Sequence, residues 1–177
     1  MDTDELTDQL ESMLASREAG LDYRVERVLK DGSRERTQVV YLLGAGGGEY
    51  GPFVHKVIAA DRGLGTVYRT LHDAWLSGRR FAHLPEILNV SSQGDELDVL
   101  MEYVEGPTLE TYLTAAGFDR GVVLQAFEDV CRACIELHAS FAPPIIHRDL
   151  KPSNIIMAQS RFSSQPTAVL IDFGIAR

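Results

Sequence analysis

The sequence Ile145-Ile146-His147-Arg148-Asp149-Leu150-Lys151-Pro152-Ser153-Asn154-Ile155-Ile156 places a dense polar cluster between two apolar pairs. Asp149 and Asn154 are five positions apart, and Lys151 lies between them. Pro152 lacks a backbone N–H and has a fixed φ, so it prevents a regular helix across the cluster. The pattern therefore predicts a carboxylate, an ammonium group and an amide together on one tight loop between short strands.

A second polar cluster, Asp172-Phe173-Gly174, follows eighteen residues after Asn154 and comes directly behind the strand-like run Ala168-Val169-Leu170-Ile171. Together the two clusters resemble the H-R-D-L-x-x-x-N catalytic loop and the D-F-G metal-binding loop of eukaryotic-like (Hanks-type) serine/threonine protein kinases. Both motifs match at every fixed position, in the right order and at a plausible spacing. A polar turn between two strands is the simpler alternative, but it does not explain the double match.

The resemblance implies phosphoryl transfer to serine or threonine, with ATP and Mg²⁺ as cofactors. This chemistry depends mostly on positioning and charge neutralisation. Catalytic roles are implied for Asp149, which would orient the acceptor hydroxyl and receive its proton, and for Lys151 beside the transferring phosphate. Asn154 and Asp172 are implied as the metal ligands, since Mg²⁺ is a hard cation that prefers oxygen.

Lys56, within Phe53-Val54-His55-Lys56, resembles the V-A-I-K lysine of the same family. That resemblance implies contacts with the α- and β-phosphates and an ion pair with a glutamate of helix C, which makes Lys56 a third catalytic candidate. The only acidic residues between Lys56 and Pro85 are Asp61 and Asp73. Asp61 lies too close to the strand, so Asp73, in a segment with helical apolar spacing, is the only candidate for this partner.

The segment Met101-Glu102-Tyr103-Val104-Glu105-Gly106 resembles the kinase hinge. Backbone groups of Glu102 and Val104 would face adenine, because backbone hydrogen bonds between apolar walls suit a flat heteroaromatic ring. The full set of implied nucleotide-binding residues is Gly32, Val39, Val54, Lys56, Met101, Glu102, Val104 and Ile156.

Residues 46–51 satisfy G-x-G-x-x-G literally, but they end only five residues before Lys56 and leave no room for an intervening strand. We interpret residues 44–51 as the turn between the second and third strands. The nucleotide-covering loop is then residues 32–39, in which Arg34 and Thr37 stand where the family pattern has glycine. Because glycine allows close backbone approach to phosphates, this loop predicts weakened ATP affinity.

The order of patterns predicts an α+β fold like that of protein kinases, with a five-stranded small lobe, helix C and a partial, mainly helical large lobe. We expect an acidic N-terminal helix over residues 1–20, the small lobe and hinge over residues 21–106, and a partial large lobe over residues 107–177. The match ends soon after D-F-G with no A-P-E motif, so we expect a truncated or split form with little activity alone.

The composition excludes several classes of function. A net charge of −9 over 177 residues argues against a nucleic-acid-binding surface. No run of eighteen apolar residues is present, so no membrane span is predicted, and the N-terminus does not resemble a secretion signal, which predicts a cytoplasmic protein. The lone pair Cys131 and Cys134 offers too few ligands for zinc and is interpreted as two buried thiols on a helix.

Two alternative functions remain open, and the sequence also predicts that the chain associates with itself or with a partner. The altered glycine loop and the missing glutamate also fit a non-catalytic, pseudokinase-like module that binds a nucleotide or a partner. A small-molecule phosphotransferase of the aminoglycoside type shares an H-x-D-x-x-x-x-N loop, although Lys151-Pro152 and the D-F-G argue against it. The predicted helix 122–139 carries apolar residues on more than one side, so self-association or capture of a complementary large-lobe fragment is expected.

Overall fold

The computed structural model describes residues 22–44, 47–59, 65–159 and 165–176. The predicted acidic helix at residues 1–20 and the rejected candidate Asp61 lie outside this described part of the chain.

The N-terminal half forms the predicted five-stranded antiparallel sheet. Its strands are β1 (Tyr23–Asp31), β2 (Glu35–Leu43), β3 (Glu49–Ala59), β4 (Ile87–Gln93) and β5 (Glu96–Glu102). They are arranged in the order β1-β2-β3-β5-β4. Strand β2 ends at Leu43 and β3 begins at Glu49, which confirms a turn between these strands. The predicted turn over residues 44–51 was too long, because Glu49, Tyr50 and Gly51 belong to β3.

Helix α1 (Thr66–Leu76) follows β3 and packs on the sheet through its apolar face. Tyr68, Leu71 and Trp75 on this face are all almost completely buried. The apolar residues recur at helical spacing, so one side of the helix covers the sheet while the polar side faces solvent. The position of α1 thereby fixes Tyr68 against the catalytic region described below.

The C-terminal half contains α2 (Leu109–Thr114), α3 (Arg120–Ala139), a short 3₁₀ turn (Pro152–Asn154) and the antiparallel pair β6 (Ile155–Ala158) and β7 (Thr167–Leu170). The residues around Ile145 and Ile146 do not form the strand that the sequence predicted. Ile145 is instead buried and donates its backbone N–H to Leu137 of α3 (3.1 Å), so helix packing holds this entry to the loop.

A buried polar contact joins α3 to β7. Asp129, which is 3% exposed, accepts a hydrogen bond from the backbone N–H of Ala168 (3.0 Å). The carbonyl oxygen of Ala168 accepts a second bond from Nδ1 of His83 (3.1 Å). Since buried polar groups are costly unless they are paired, these bonds fix β7 and hence the loop that follows it.

The outward side of α3 confirms part of the predicted apolar exposure. Leu124, Phe127 and Ile135 are 69%, 70% and 64% exposed. Cys131 is also exposed and Cys134 is half-buried, so the expectation of two buried thiols was wrong. The apolar pattern of the sequence did not distinguish the covered side of α3 from the open side. Self-association through this surface stays a prediction.

His55 lies on β3, on the side of the sheet opposite Lys56, next to Asp98 and Tyr23. Its Nε2 contacts Asp98 of β5 (3.0 Å), and the ring of Tyr23 packs beside it with centroids 4.7 Å apart. Burial lowers the pKa of His55, with a further contribution from Arg36, and Asp98 only partly offsets this. The folded protein therefore favours neutral His55.

Within the described residues, no helix is both long enough and apolar enough to cross a membrane.

Candidate active site

A cleft of about 280 Å³ lies between the five-stranded sheet and the C-terminal half. This volume is close to the lower end of the roughly 300–1,000 Å³ that is typical of small-molecule sites. Its wall contains residues from both halves of the chain: Leu29, Lys30, Glu35, Thr37, Val54, Lys56, Tyr68, Pro85, Met101, Glu102, Tyr103, Val104, Ser153, Asn154, Ile156, Ile171 and Asp172.

The predicted catalytic loop is organised around Asp149. Its Oδ2 accepts hydrogen bonds from Nζ of Lys151 (2.6 Å) and from the amide nitrogen of Asn154 (2.9 Å). The Lys151 bond holds the pKa of Asp149 below its usual value, with a smaller contribution from Asn154. The loop thus brings the carboxylate, the ammonium group and the amide together, as the residue spacing predicted, and these bonds hold the carboxylate ionised and in a fixed orientation.

The predicted metal-binding loop is joined to the catalytic loop by two hydrogen bonds at the backbone of Ile171. Ile171 donates its N–H to the backbone oxygen of Asn154 (2.9 Å), and its own carbonyl accepts from Nε2 of His147 (3.0 Å). These bonds place Asp172 next to Asn154. The arrangement explains why the two motifs, eighteen residues apart in the chain, form one site.

The backbone is strained at the same place. Arg148 and Asp172 have positive φ angles of 68° and 66°, a conformation that is uncommon for residues other than glycine. Such outliers persist only where the surrounding structure determines them, and they cluster at functional sites. Here they turn the chain immediately before Asp149 and before Phe173.

Phe173 is completely buried between α1 and the catalytic loop. Its ring makes edge contacts with Tyr68 (6.0 Å between centroids) and with His147 (5.1 Å). Its backbone N–H donates to the hydroxyl of Tyr68 (3.0 Å). One residue therefore holds together the helix, the metal-binding loop and the catalytic loop.

Lys56 is nearly buried, with 4% of its side chain exposed, and it makes two ion pairs. Its Nζ lies 2.5 Å from Asp172 Oδ1 and 2.7 Å from Glu35 Oε1. Burial would lower the pKa of Lys56, but Tyr68, Asp172 and Glu35 together raise it above the ordinary value. Burial likewise opposes the charge of Asp172, yet Lys56 keeps the pKa of that carboxyl low. Lys56 and Asp172 are therefore both charged.

The expected partner of Lys56 was wrong. Asp73 is exposed on α1, and the position of α1 that faces Lys56 holds Tyr68, whose ring centroid lies 5.8 Å from Nζ. The carboxylate comes instead from Glu35 at the start of β2. Glu35 also accepts a hydrogen bond from Lys30 of β1 (2.8 Å) and one from the Thr37 hydroxyl (3.2 Å).

The cleft wall differs at two positions from the predicted nucleotide-binding set. Among the described residues, Leu29 and Thr37 line the wall, whereas Gly32 and Val39 do not. Gly32 lies in the turn between β1 and β2, and Val39 is completely buried beside its partner Val54. The structure does bring the remaining implied residues into the wall: Val54, Lys56, Met101, Glu102, Val104 and Ile156.

Neither Glu35 nor Tyr68 was predicted from the sequence, although the alternation along β2 contained a usable signal for Glu35. Side chains two residues apart on a strand point to the same face, so Glu35 and Thr37 share the face of the predicted roof residue Val39. Thr37 pairs with Lys56 across the ladder, and Glu35 is then the diagonal neighbour of Lys56. Tyr68 had no comparable signal, because its orientation depends on the packing of α1.

The ligand chemistry of Asn154 and Asp172 fits a magnesium ion. Both line the cleft. The bonds from Asn154 to Asp149 use the amide nitrogen and not the oxygen, which is the atom that coordinates cations. Mg²⁺ usually takes only one or two protein carboxylates and completes its shell with water and phosphate oxygens. Two adjacent oxygen ligands are therefore a sufficient protein contribution.

Comparison with known proteins identifies the class that this fold and site define. The protein kinase domain family matches residues 75–177, which is more than half of the chain. The chain belongs to the protein kinase domain family.

Individual relatives agree with this membership. The chain is 36% identical over 91 residues to the serine/threonine-protein kinase pkn2 of Myxococcus xanthus, covering 51% of this chain and 10% of that protein. It is 35% identical over 96 residues to the serine/threonine-protein kinase PrkC of Bacillus subtilis, covering 52% and 14%. It is 35% identical over 101 residues to the serine/threonine-protein kinase PkaA of Streptomyces coelicolor, covering 55% and 18%. The matched segment thus spans less than a fifth of each of these relatives.

Proposed function

We propose that this chain carries the ATP- and magnesium-dependent phosphoryl-transfer site of a serine/threonine protein kinase. One observation carries the proposal: Lys56, Asn154 and Asp172 line one cleft, and the fixed carboxylate of Asp149 is bonded to Asn154 at its edge. Each of these groups has a part in phosphoryl transfer, which depends on positioning and on neutralising charge. The printed names of the relatives support serine/threonine specificity.

The residues divide into three tasks in this proposal. Val54 and Ile156 clamp the adenine ring between the lobes, and the hinge at Met101, Glu102 and Val104 supplies backbone groups at its edge. Lys56 binds phosphate oxygens. When bound at Asn154 and Asp172, Mg²⁺ supplies positive charge that neutralises the phosphates.

Asp149 and Lys151 act on the acceptor side of the reaction in this proposal. Hydrogen bonds from Lys151 and Asn154 orient the ionised carboxylate of Asp149. This carboxylate accepts the proton of the acceptor hydroxyl. The Lys151 ammonium, 2.6 Å from that carboxylate, is placed to neutralise charge on the transferring group. Both side chains lie at the solvent side of the loop, where a peptide can approach.

A non-catalytic, nucleotide-binding module is a second candidate because of the glycine loop. Arg34 and Thr37 stand there in place of glycines, and the carboxylate of Glu35 forms an ion pair with the ammonium group of Lys56. These features predict weak binding of Mg·ATP, in the micromolar to millimolar range by order of magnitude. They also predict that transfer by the chain alone is slow.

Calorimetric titration and a radiolabelled transfer assay test the proposal together. Wild-type protein should bind Mg·ATP, Asp172→Asn should lose the dependence on magnesium, and Asp149→Asn should keep binding but lose any transfer. Asp95→Asn, at the exposed β4–β5 turn, is the matched control and should behave like wild type. Failure of wild type to bind Mg·ATP at millimolar concentration would refute the proposal. Binding without transfer would favour the second candidate.

A further inference from the structure

Three donors converge on the carboxylate of Glu35 within the cleft. Nζ of Lys56 lies 2.7 Å from Oε1, Nζ of Lys30 lies 2.8 Å from Oε2, and the Thr37 hydroxyl donates to Oε1 over 3.2 Å. Two ammonium groups and a hydroxyl around an anion are the kind of donor set that binds phosphate. Here a side chain of the protein fills it.

Glu35 reaches across the phosphate end of the cleft. It lies beside the β1–β2 turn, in the segment that covers nucleotide phosphates in this family, and it shares Lys56 with Asp172. A methyl group built on Gly174 would lie 3.8 Å from Glu35 Oε2 and 3.7 Å from Lys56 Nζ. The carboxylate thus extends from the sheet to the D-F-G loop.

The charges of this end of the cleft already balance. Lys30 and Lys56 carry the positive charge, and Glu35 and Asp172 the negative charge. Burial alone would raise the pKa of Glu35, but its hydrogen bonds with Lys30 and Lys56 outweigh this and lower it. An entering triphosphate therefore meets the ionised carboxylate of Glu35, which is already bound to Lys56, the proposed phosphate-binding lysine.

We propose that Glu35 is a specificity-determining residue whose carboxylate occupies a phosphate position and disfavours nucleoside triphosphates relative to uncharged nucleosides. The adenine end of the cleft is lined by Val54, Met101 and Ile156. Glu35 pairs with Ile58, four residues along β3 from Val54, so its carboxylate leaves this end of the cleft to a nucleoside. Mg·ATP must displace Glu35 from Lys56 before its phosphates can bind. This inference rests on the proposed nucleotide site.

The test measures binding of adenosine and of Mg·ATP by calorimetry to wild type, Glu35→Gln and Glu35→Ala. Glu35→Gln keeps the shape and removes the charge, while Glu35→Ala also removes the side chain. Glu49→Gln is the control, because Glu49 forms a comparable ion pair with Arg24 (2.7 Å) on an exposed part of the same sheet. Adenosine binding reports that the cleft is folded in each variant.

Both Glu35 variants should bind Mg·ATP at least tenfold more tightly than wild type, with adenosine affinity changed less than threefold. Glu49→Gln should change neither. Unchanged or weaker Mg·ATP binding in variants that still bind adenosine would overturn the inference and leave the nucleotide site standing, with Glu35 as an anchor for Lys56. Failure of every protein to bind either ligand would instead overturn the proposed function and the inference with it.

Discussion

Replacing Lys56 with methionine removes the positive charge at the centre of the site while keeping a side chain of similar length. Two carboxylates, Glu35 and Asp172, lose their shared partner in this variant. They remain within a partly buried cleft, with only 18% and 26% of their side chains exposed. The folded state must then accommodate two neighbouring negative charges, or protonate one of them.

The size of the effect follows from this burial. Removing one partner of a fully buried ion pair costs roughly 3–5 kcal/mol, since the other charge is left uncompensated. Water reaches part of both carboxylates, and Glu35 keeps its bond with Lys30, so the lower end applies. We expect Lys56→Met to lower the free energy of unfolding by about 3 kcal/mol. For a chain of this length that corresponds to a fall of about 6–12 °C in Tm.

Urea unfolding at pH 7 measures this change, and Lys30→Met is the matched control. Lys30 also pairs with Glu35, but 54% of its side chain is exposed, and exposed ion pairs contribute only about 0–1 kcal/mol. Adding Glu35→Gln to Lys56→Met should restore part of the lost stability, because it removes one unpaired carboxylate. A loss below about 1 kcal/mol for Lys56→Met, or no recovery in the double variant, would contradict the ion-pair network.

The other predictions concern pH and backbone conformation. Burial holds the pKa of His55 below its unfolded value near 6.5, so the unfolded chain binds more protons and stability should fall as pH drops below about 6.5. Urea titrations between pH 7 and 5 should show a smaller fall for His55→Gln than for exposed His138→Gln; equal slopes would count against it. Gly106 has a φ of 154°, and a methyl group there would collide with the Met157 carbonyl. Gly106→Ala should lower stability by about 2–3 kcal/mol or more. Gly117→Ala, where nothing lies within 4 Å, should cost only about 1 kcal/mol, and similar losses would refute the argument.

Local patterns in the sequence were sufficient for the fold and for the two motifs of the site. The period-two alternation predicted the five strands, and the confirmed turn after Leu43 followed from counting the residues that a strand needs. The contact between Asp149 and Asn154 was predictable because both belong to one short loop. Family motifs placed Lys56 and Asp172 on the same cleft although 116 residues separate them.

The partner of Lys56 was not predictable in the same way, because it depends on which side chains reach the lysine across the sheet. The family pattern directed attention to the helix, where Asp73 was the only acid. In the structure the helix turns Tyr68 inward and Asp73 outward. Glu35 reaches the lysine along the diagonal of the β2–β3 ladder.

The partner of Lys56 is Glu35 of β2 and not a glutamate of the helix, and this changes how α1 is coupled to the site. Glu35 and Lys56 lie on neighbouring strands, so the sheet itself fixes their ion pair and a displacement of α1 would not break it. Helix α1 instead acts through Tyr68, whose hydroxyl accepts the N–H of Phe173 and whose ring packs on the phenyl group. A movement of α1 would therefore disturb the D-F-G backbone first. In kinases that use a helix glutamate, the lysine ion pair itself responds to the position of that helix. In this chain Glu35 pairs with Lys56, and Tyr68 links α1 to the D-F-G loop. The ion pair and the helix contact are therefore separate, whereas a helix glutamate would provide both.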